Sequence, residues 1–326
     1  MVELIREEQY ESMMRAVVEP GLAAMREEIE MPLEDGGTLH AEVYNRLDAR
    51  QAVVLLHGYT ESAEKFREMA WYFVQAGYSV FSYDHRGHGR SARAVEDTSI
   101  THVERFDDYV RDLETFMAQV VEPRMRGGRL CLYAHSMGGA VGAMALMRHP
   151  DWFDRAVLTA PMIAPSSAPF PRWMGQAIAR VMCALGKGKE RAFIGKPFDP
   201  ETETFEASFS TGRARFDYYQ KKRVSQAHLQ NCAPTYRWVL EAMGVTRTLL
   251  DPQNNLRIKT PVLLCQAGRD TVVCLPEQRQ FVQQTPGAAM RVFETAKHEI
   301  YNSDDAVMRE YVPVVIGFLD GEEGRV

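Results

Sequence analysis

Ala52-Val53-Val54-Leu55-Leu56 is apolar at every position, without the alternation that leaves one face of a strand wet. A run this short and uniform suits a strand covered on both faces. Comparable short runs recur at Ser79 to Tyr83, Leu130 to Ala134, Ala156 to Thr159, Pro261 to Gln266 and Met290 to Phe293. Helical periods lie between them. The best runs from Val103 to Val121 and puts Phe106, Tyr109, Val110, Leu113, Phe116, Met117, Val120 and Val121 on one face. Buried strands alternating with amphipathic helices predict an α/β protein with a mostly parallel central sheet and helices on both faces. The start of the chain differs. Glu3 to Val18 reads as a short amphipathic helix stopped by Pro20-Gly21. Glu28 to Leu33 and Leu39 to Tyr44 flank Asp35-Gly36-Gly37, a hairpin signal.

The alternation stops after Pro161 and resumes near Pro261. Between them, Pro165 to Pro171 leads into a stretch rich in Met, Phe, Tyr and Trp. The spacing predicts core segments at 1–161 and 251–326, with a mainly helical cap (lid) insertion at 162–250. That insertion sits over the strand ends, where open α/β sheets take their ligands. Charge marks the same segment. The chain has 38 Lys and Arg against 44 Asp and Glu, a net of −6. Segment 162–250 carries thirteen cations and seven acids, so it is +6 and the remainder −12. A basic insert on an acidic body suits an anionic substrate, such as one with a phosphate head, or peripheral contact with an anionic membrane. It suits mutual attraction of the two parts equally well, and both readings stay open.

Composition excludes several classes. The apolar-plus-glycine stretch that includes Gly138 to Met147 falls far short of the roughly 18 residues that a membrane span needs. The first residues carry neither a basic cluster nor an apolar core, so a cytoplasmic location is expected, peripheral at the inner membrane face if the cap meets lipid. Five cysteines, none spaced as Cys-x-x-Cys, argue against a disulfide framework or a structural zinc site. An overall pI of about 5.9, with the net-basic stretch confined to one segment, gives no support to nucleic-acid binding.

The chemistry concentrates at strand ends. Leu130 to Ala134 runs through His135-Ser136-Met137-Gly138-Gly139 into a helix rich in small residues. This is close to a Gly-x-Ser-x-Gly elbow, in which a sharp turn lifts the serine hydroxyl clear of the sheet. Ala134 replaces the first glycine. An incidental serine on a plain turn has the same local pattern, so the partners decide. A serine hydroxyl needs a base, and the base an orienting carboxylate. Asp270 closes the strand-like Pro261 to Gly268 run, and His298 follows the last strand, in the chain order Ser, Asp, His. Asp251 is a rival acid, but it belongs to an Asp-Pro turn ahead of the strand. His57, His85, His88 and His135 are expected to support loops. His57-Gly58 ends another buried strand, and the backbone N–H groups of Tyr59 and Met137 are the expected oxyanion donors.

These motifs resemble the α/β-hydrolase serine hydrolases, and among them the bacterial lysophospholipase and monoacylglycerol lipase group. The resemblance covers roughly 30–320. It is carried by His57-Gly58-Tyr59-Thr60-Glu61-Ser62, Asp84 to Ser91, Ala134 to Gly139, Gly268 to Val273 and His298-Glu299. It implies an α/β-hydrolase fold with a cap, hydrolysis of lipid esters through an acyl-serine, and neither cofactor nor metal. It also implies that Glu61 meets the glycerol head of a substrate. A small-ester hydrolase, an amide hydrolase or an acyltransferase would use the same triad, and a non-catalytic binding protein would have lost part of it. Dehalogenase or epoxide-hydrolase chemistry would need Asp where Ser136 stands.

Overall fold

The computed structural model describes residues 2–46, 49–125, 127–167 and 171–322. Residues 168–170 of the Pro165 to Pro171 stretch, and the outermost ends of the two core segments, lie outside the described residues. The strands are β1 (Arg26–Pro32), β2 (Thr38–Tyr44), β3 (Gln51–Leu56), β4 (Tyr78–Tyr83), β5 (Ile100–Thr101), β6 (Arg129–His135), β7 (Arg155–Thr159), β8 (Ala233–Pro234), β9 (Val262–Ala267) and β10 (Ala288–Phe293). Among the described residues, eight of them form one sheet in the order β1-β2-β4-β3-β6-β7-β9-β10, and β5 pairs with β8 apart from it. All pairings from β4 to β10 are parallel, and the β1–β2 hairpin adds an antiparallel edge.

The uniformly apolar runs are explained by two cores, one on each face of the sheet. Ala52, Val54 and Leu56 of β3 point into one, together with Leu132, Leu158 and Leu264 of the neighbouring strands. Val53 and Leu55 point into the other, with Tyr133, Val157 and Leu263. Side chains alternate along a strand, so a strand wet on neither side must be apolar at every position. Helices Asp107–Phe116, Ser136–Arg148 and Leu275–Gln284 cover the first face, and Arg67–Gln75 and Asp305–Asp320 the second.

Two elements depart from expectation. The helix read over Val103 to Val121 begins at Asp107, and its last turn, Met117–Val121, is a wider π turn. Near the start of the chain, helix does not stop at Pro20-Gly21 but continues to Ala23. A π turn at Met14–Val18 leads into Pro20, and the backbone stays helical on both sides of the junction. Gly21 lies against the Trp71 ring, where a Cβ would come within 2.7 Å.

Segment 162–250 supplies helices Arg172–Ala184, Arg213–Ser225 and Tyr236–Leu249. The last is part of the core: Trp238, Ala242, Val245 and Leu249 pack with the first face of the sheet. The segment's cations mostly bind acids outside it. Arg172 pairs with Glu277, Arg191 with Asp97, Lys221 with Glu11, and Lys222 with Glu19 and Glu64. The deepest is Arg215, whose side chain is 0% exposed. It binds Glu68 at 2.9 Å and Asp305 at 3.3 Å, donates to the Ile5 carbonyl, and lies over the Tyr10 ring. Of the two readings of the basic segment, these contacts favour attraction to the acidic body. Among the described residues, no helix is long and apolar enough to cross a membrane.

Removing Arg215 strands Glu68 in a dry site, so Arg215→Ala is expected to cost about 3–5 kcal/mol of unfolding free energy. Equilibrium urea denaturation checks this. By contrast, the exposed Lys221–Glu11 pair is screened by solvent and contributes little.

Candidate active site

The parallel strands all end at one edge, and the loops leaving β3, β6, β9 and β10 meet there. Ser136 follows β6 directly and opens the Ser136–Arg148 helix. Its φ of +51° lies in the left-handed region, the strained turn that an elbow requires. The tightness has a local cause. A Cβ on Gly138 would lie 2.6 Å from the Leu56 carbonyl oxygen and 2.5 Å from that of His57. Helix and β3 therefore touch backbone to backbone. Ala134 is accommodated in place of glycine because Gly142 faces it: a Cβ on Gly142 would stand 3.3 Å from the Ala134 methyl.

Asp270 and His298 come together because their loops are bonded to each other. Gly268 N–H donates to Phe293 O, and Arg269 N–H to Ala296 O. A Cβ on Gly268 would strike the Glu294 backbone at 2.5 Å. The result is a continuous chain of contacts. Ser136 Oγ is 2.8 Å from His298 Nε2, and His298 Nδ1 is 2.7 Å from Asp270 Oδ2. The other oxygen, Oδ1, accepts from the N–H groups of Val272 and Val273. Burial raises the Asp270 pKa, but His298 and these N–H donors outweigh it and hold the carboxyl below its ordinary value. An ionised Asp270 keeps the proton of neutral His298 on Nδ1, leaving Nε2 free to accept from serine. Asp251, the rival acid, caps the Pro252–Asn255 turn by accepting from Gln253 N–H.

Two cavities adjoin this chain. One, of about 720 Å³, reaches Ser136 and is lined by Met162, Met174, Ile178, Phe193, Trp238 and Met243 among others. The other, of about 420 Å³, has Lys65, Arg223, Asn231 and Glu299 on its walls. Tyr59, Cys232 and Val272 border both. The sequence reading missed Lys65, Arg223 and Glu299 as lining residues. A local signal existed for two of them: Lys65 stands one helical turn after Glu61, and Glu299 directly follows His298. Arg223 comes from a distant helix, and its signal was the excess of cations in 162–250.

Tyr59 lies just past β3, and Met137 N–H is among the first of its helix, where no intrahelical acceptor exists. Glu61 is buried away from both cavities. Its oxygens accept from Gly58 N–H at 2.7 Å, Lys65 Nζ at 3.0 Å and Tyr301 OH at 2.5 Å. Burial pushes its pKa up, but Lys65 and His135 pull harder and bring it down to about 2. Among the described residues one group, Glu28, His40 and Glu42, has the spacing of metal ligands. It lies on the β1–β2 hairpin, and Arg26, Arg67 and Arg90 already engage its carboxylates. Nothing in that group faces the cavities.

The supporting histidines are buried and neutral. Burial holds His57, His85 and His88 below the ordinary imidazole pKa and brings His135 down to about 4. Below about pH 6.5 the unfolded chain takes up protons on these rings that the folded chain refuses. Stability therefore falls with falling pH, by up to about 1.4 kcal/mol per pH unit for each ring. Carboxylates such as Asp270 and Glu61 add to this only below their ordinary range. The urea midpoint is expected to drop between pH 7 and pH 5. A flat profile across that window would contradict buried neutral rings.

Comparison with known proteins fits this geometry. Residues 48–305 match the model of a hydrolase family described as serine aminopeptidase, S33. Lysophospholipase L2 of Escherichia coli K12 is 32% identical over 286 residues, covering 83% of this chain and 80% of that protein. A monoacylglycerol lipase of Mycolicibacterium smegmatis is 24% identical, over 79% of this chain and 84% of that one. In fold, the chain is similar to a soluble variant of monoglyceride lipase from Saccharomyces cerevisiae, with a TM-score of 0.73 at 19% identity, covering 91% of this chain and 96% of that one. A carboxyl esterase from Bacillus coagulans gives 0.69 at 18% identity, covering 91% and 98%.

Proposed function

Since the chain belongs to the serine aminopeptidase S33-type family of α/β hydrolases, we propose that it is a carboxylic-ester hydrolase releasing fatty acid from single-chain lipids, as a lysophospholipase or monoacylglycerol lipase does. The observation that supports this most is the Ser136–His298–Asp270 contact chain, whose Ser136 lines the large apolar cavity. Apolar and Met-rich walls suit an acyl chain, and the smaller cavity, with its charged and amide side chains, suits a polar head.

The residues act in sequence. Ser136 Oγ attacks the ester carbonyl carbon while its proton passes to His298 Nε2. The carbonyl oxygen takes up negative charge between the N–H groups of Tyr59 and Met137. The ester C–O bond then breaks, and the imidazolium gives its proton to the departing alcohol. Water enters, loses a proton to His298 and attacks the acyl-serine carbonyl. Fatty acid leaves and Ser136 regains its proton. Asp270 stays ionised and stabilises the imidazolium throughout.

We take 162–250 as the cap over both cavities. Trp173, Val181, Leu185, Phe193 and Ile194 are exposed on it, with Trp173 at 70%, and Phe193 and Ile194 also line the apolar cavity. That rim suits contact with a lipid assembly, which fits a cytoplasmic protein working at the inner membrane face. The cations Lys221, Lys222 and Arg223 are already paired, the first two with Glu11, Glu19 and Glu64, and Arg223 with Glu203 on the wall of the smaller cavity. Replacing all three with Gln is expected to lower the melting temperature and to reduce turnover of lysophospholipid and monoacylglycerol alike. A selective loss on anionic lipid assemblies, flattening a salt dependence set by a Debye length of about 8–10 Å, would instead assign those cations to the membrane.

Ser136→Ala is expected to fold and to lose labelling by a fluorophosphonate probe. Asp270→Ala and His298→Ala are each expected to lower kcat by orders of magnitude, and the double variant to lose little more, because a triad acts as a unit. Labelling that persists in folded Ser136→Ala would move the nucleophile elsewhere.

A further inference from the structure

The N–H of Tyr59 belongs to the same planar peptide as the carbonyl of Gly58, so whatever fixes one fixes the other. Two buried side chains grip this stretch. His57 Nδ1 lies 2.7 Å from Gly58 O, and His57 Nε2 accepts from His85 N–H at 2.9 Å. Those partners leave the ring one protonation state: neutral, with the proton on Nδ1 and donated to Gly58 O. The preceding peptide is held from the other side, where Gly58 N–H donates to Glu61 Oε2 at 2.7 Å. Glu61 N–H closes the turn on Gly58 O at 3.4 Å.

The turn needs such a grip. Thr60, next to the donor, has φ +61°, a region that a β-branched residue rarely enters. Strain of that kind persists only where the surroundings over-determine it. Gly58 itself has no room for a side chain, since a Cβ would come within 3.0 Å of the Ser136 Cβ. Glu61 is held in its turn. Tyr301 OH donates to it, and Lys65 bridges it at 3.0 Å to Glu299 at 2.6 Å, the residue after His298. The bridge has a second effect. A bare carboxylate beside a developing oxyanion would oppose it, and the Lys65 ammonium offsets that charge.

We propose that His57 and Glu61 are positioning residues that clamp the Gly58–Tyr59 peptide so that its N–H is aimed at the oxyanion. The assignment rests on the acyl-serine reading above, with Tyr59 N–H as a donor. It gives Glu61 a different task from the head-group contact implied by the family resemblance. Its oxygens are taken by Gly58, Lys65 and Tyr301, and it lines neither cavity. A donor aimed at the tetrahedral oxygen helps the transition state more than the ground state, so the clamp acts on kcat rather than on KM.

The test compares wild type with Glu61→Ala, Glu61→Gln and His57→Phe. It measures kcat and KM on monooleoylglycerol, the rate constant for fluorophosphonate labelling of Ser136, and the melting temperature. Glu61→Ala and His57→Phe are expected to slow kcat and labelling roughly 10- to 100-fold, with KM changed by less than about threefold. Glu61→Gln keeps an acceptor for Gly58 N–H and is expected to recover most of the loss. Being nearly isosteric, it also carries the test if Glu61→Ala does not fold, as does His57→Phe independently. Folded variants with wild-type kcat and labelling overturn the clamp. So does a loss confined to KM, which would return Glu61 to the substrate, and so does Glu61→Gln behaving no better than Glu61→Ala. Wild type unlabelled at Ser136 overturns the acyl-serine reading and the clamp with it, whereas a labelled wild type with unaffected variants overturns the clamp alone.

Discussion

The backbone of the Ser136–Arg148 helix passes β3 so closely that a single Cβ at Gly138 would collide with the carbonyls of Leu56 and His57. The rest of the site depends on that approach. It brings Met137 N–H, at the start of one element, beside the loop that carries Tyr59 N–H, at the end of another. It also forces Ser136 into a left-handed turn, because the chain must reverse from strand to helix within one residue. Two buried faces of the sheet then hold the geometry rigid, since neither strand can shift without opening a core.

The same economy of space governs the acid and the base. Gly268 and Glu294 touch backbone to backbone, so the loops after β9 and β10 move as one. Those contacts bring Asp270 and His298 within reach, and the 2.7 Å hydrogen bond between their side chains completes the approach. Segment 162–250 adds a further restraint. Glu299 N–H donates to Phe209 O, and Gly212 N–H to Asn302 O, so the histidine loop is pinned from above as well. Charge secures the arrangement at its far end, where Arg215 is buried among Glu68, Asp305 and the Tyr10 ring.

Much of this was legible in the residues. The uniformly apolar runs of β3, β6, β7 and β9 identified strands covered on both faces, because no other environment tolerates apolar side chains on both sides. The Ala134 to Gly139 junction and the Asp270 and His298 positions followed from strand ends together with the chain order Ser, Asp, His, since parallel strands share one edge. The end of the first helix was misread at Pro20-Gly21. Proline is a strong stop signal for a regular α ladder, whereas here a π turn with wider bonds leads into Pro20 and the helix carries on.

Composition and order along the chain therefore determined the layers, the edge and the candidate nucleophile, acid and base. These depend on local patterns that a one-dimensional string preserves. Only the tertiary structure decided which carboxylates the cations meet. The excess of cations in 162–250 suits lipid and body equally on paper, and Arg172, Arg191, Arg215, Lys221 and Lys222 reach Glu277, Asp97, Glu68, Glu11 and Glu19 only once distant segments pack. Glu61 shows the same limit at a single residue. The family resemblance implied a contact with the head of a substrate, whereas its burial and its bonds to Gly58, Lys65 and Tyr301 draw it inward. A hydrogen bond to Tyr301 spans 240 residues of chain, and no local pattern encodes a partner that far away.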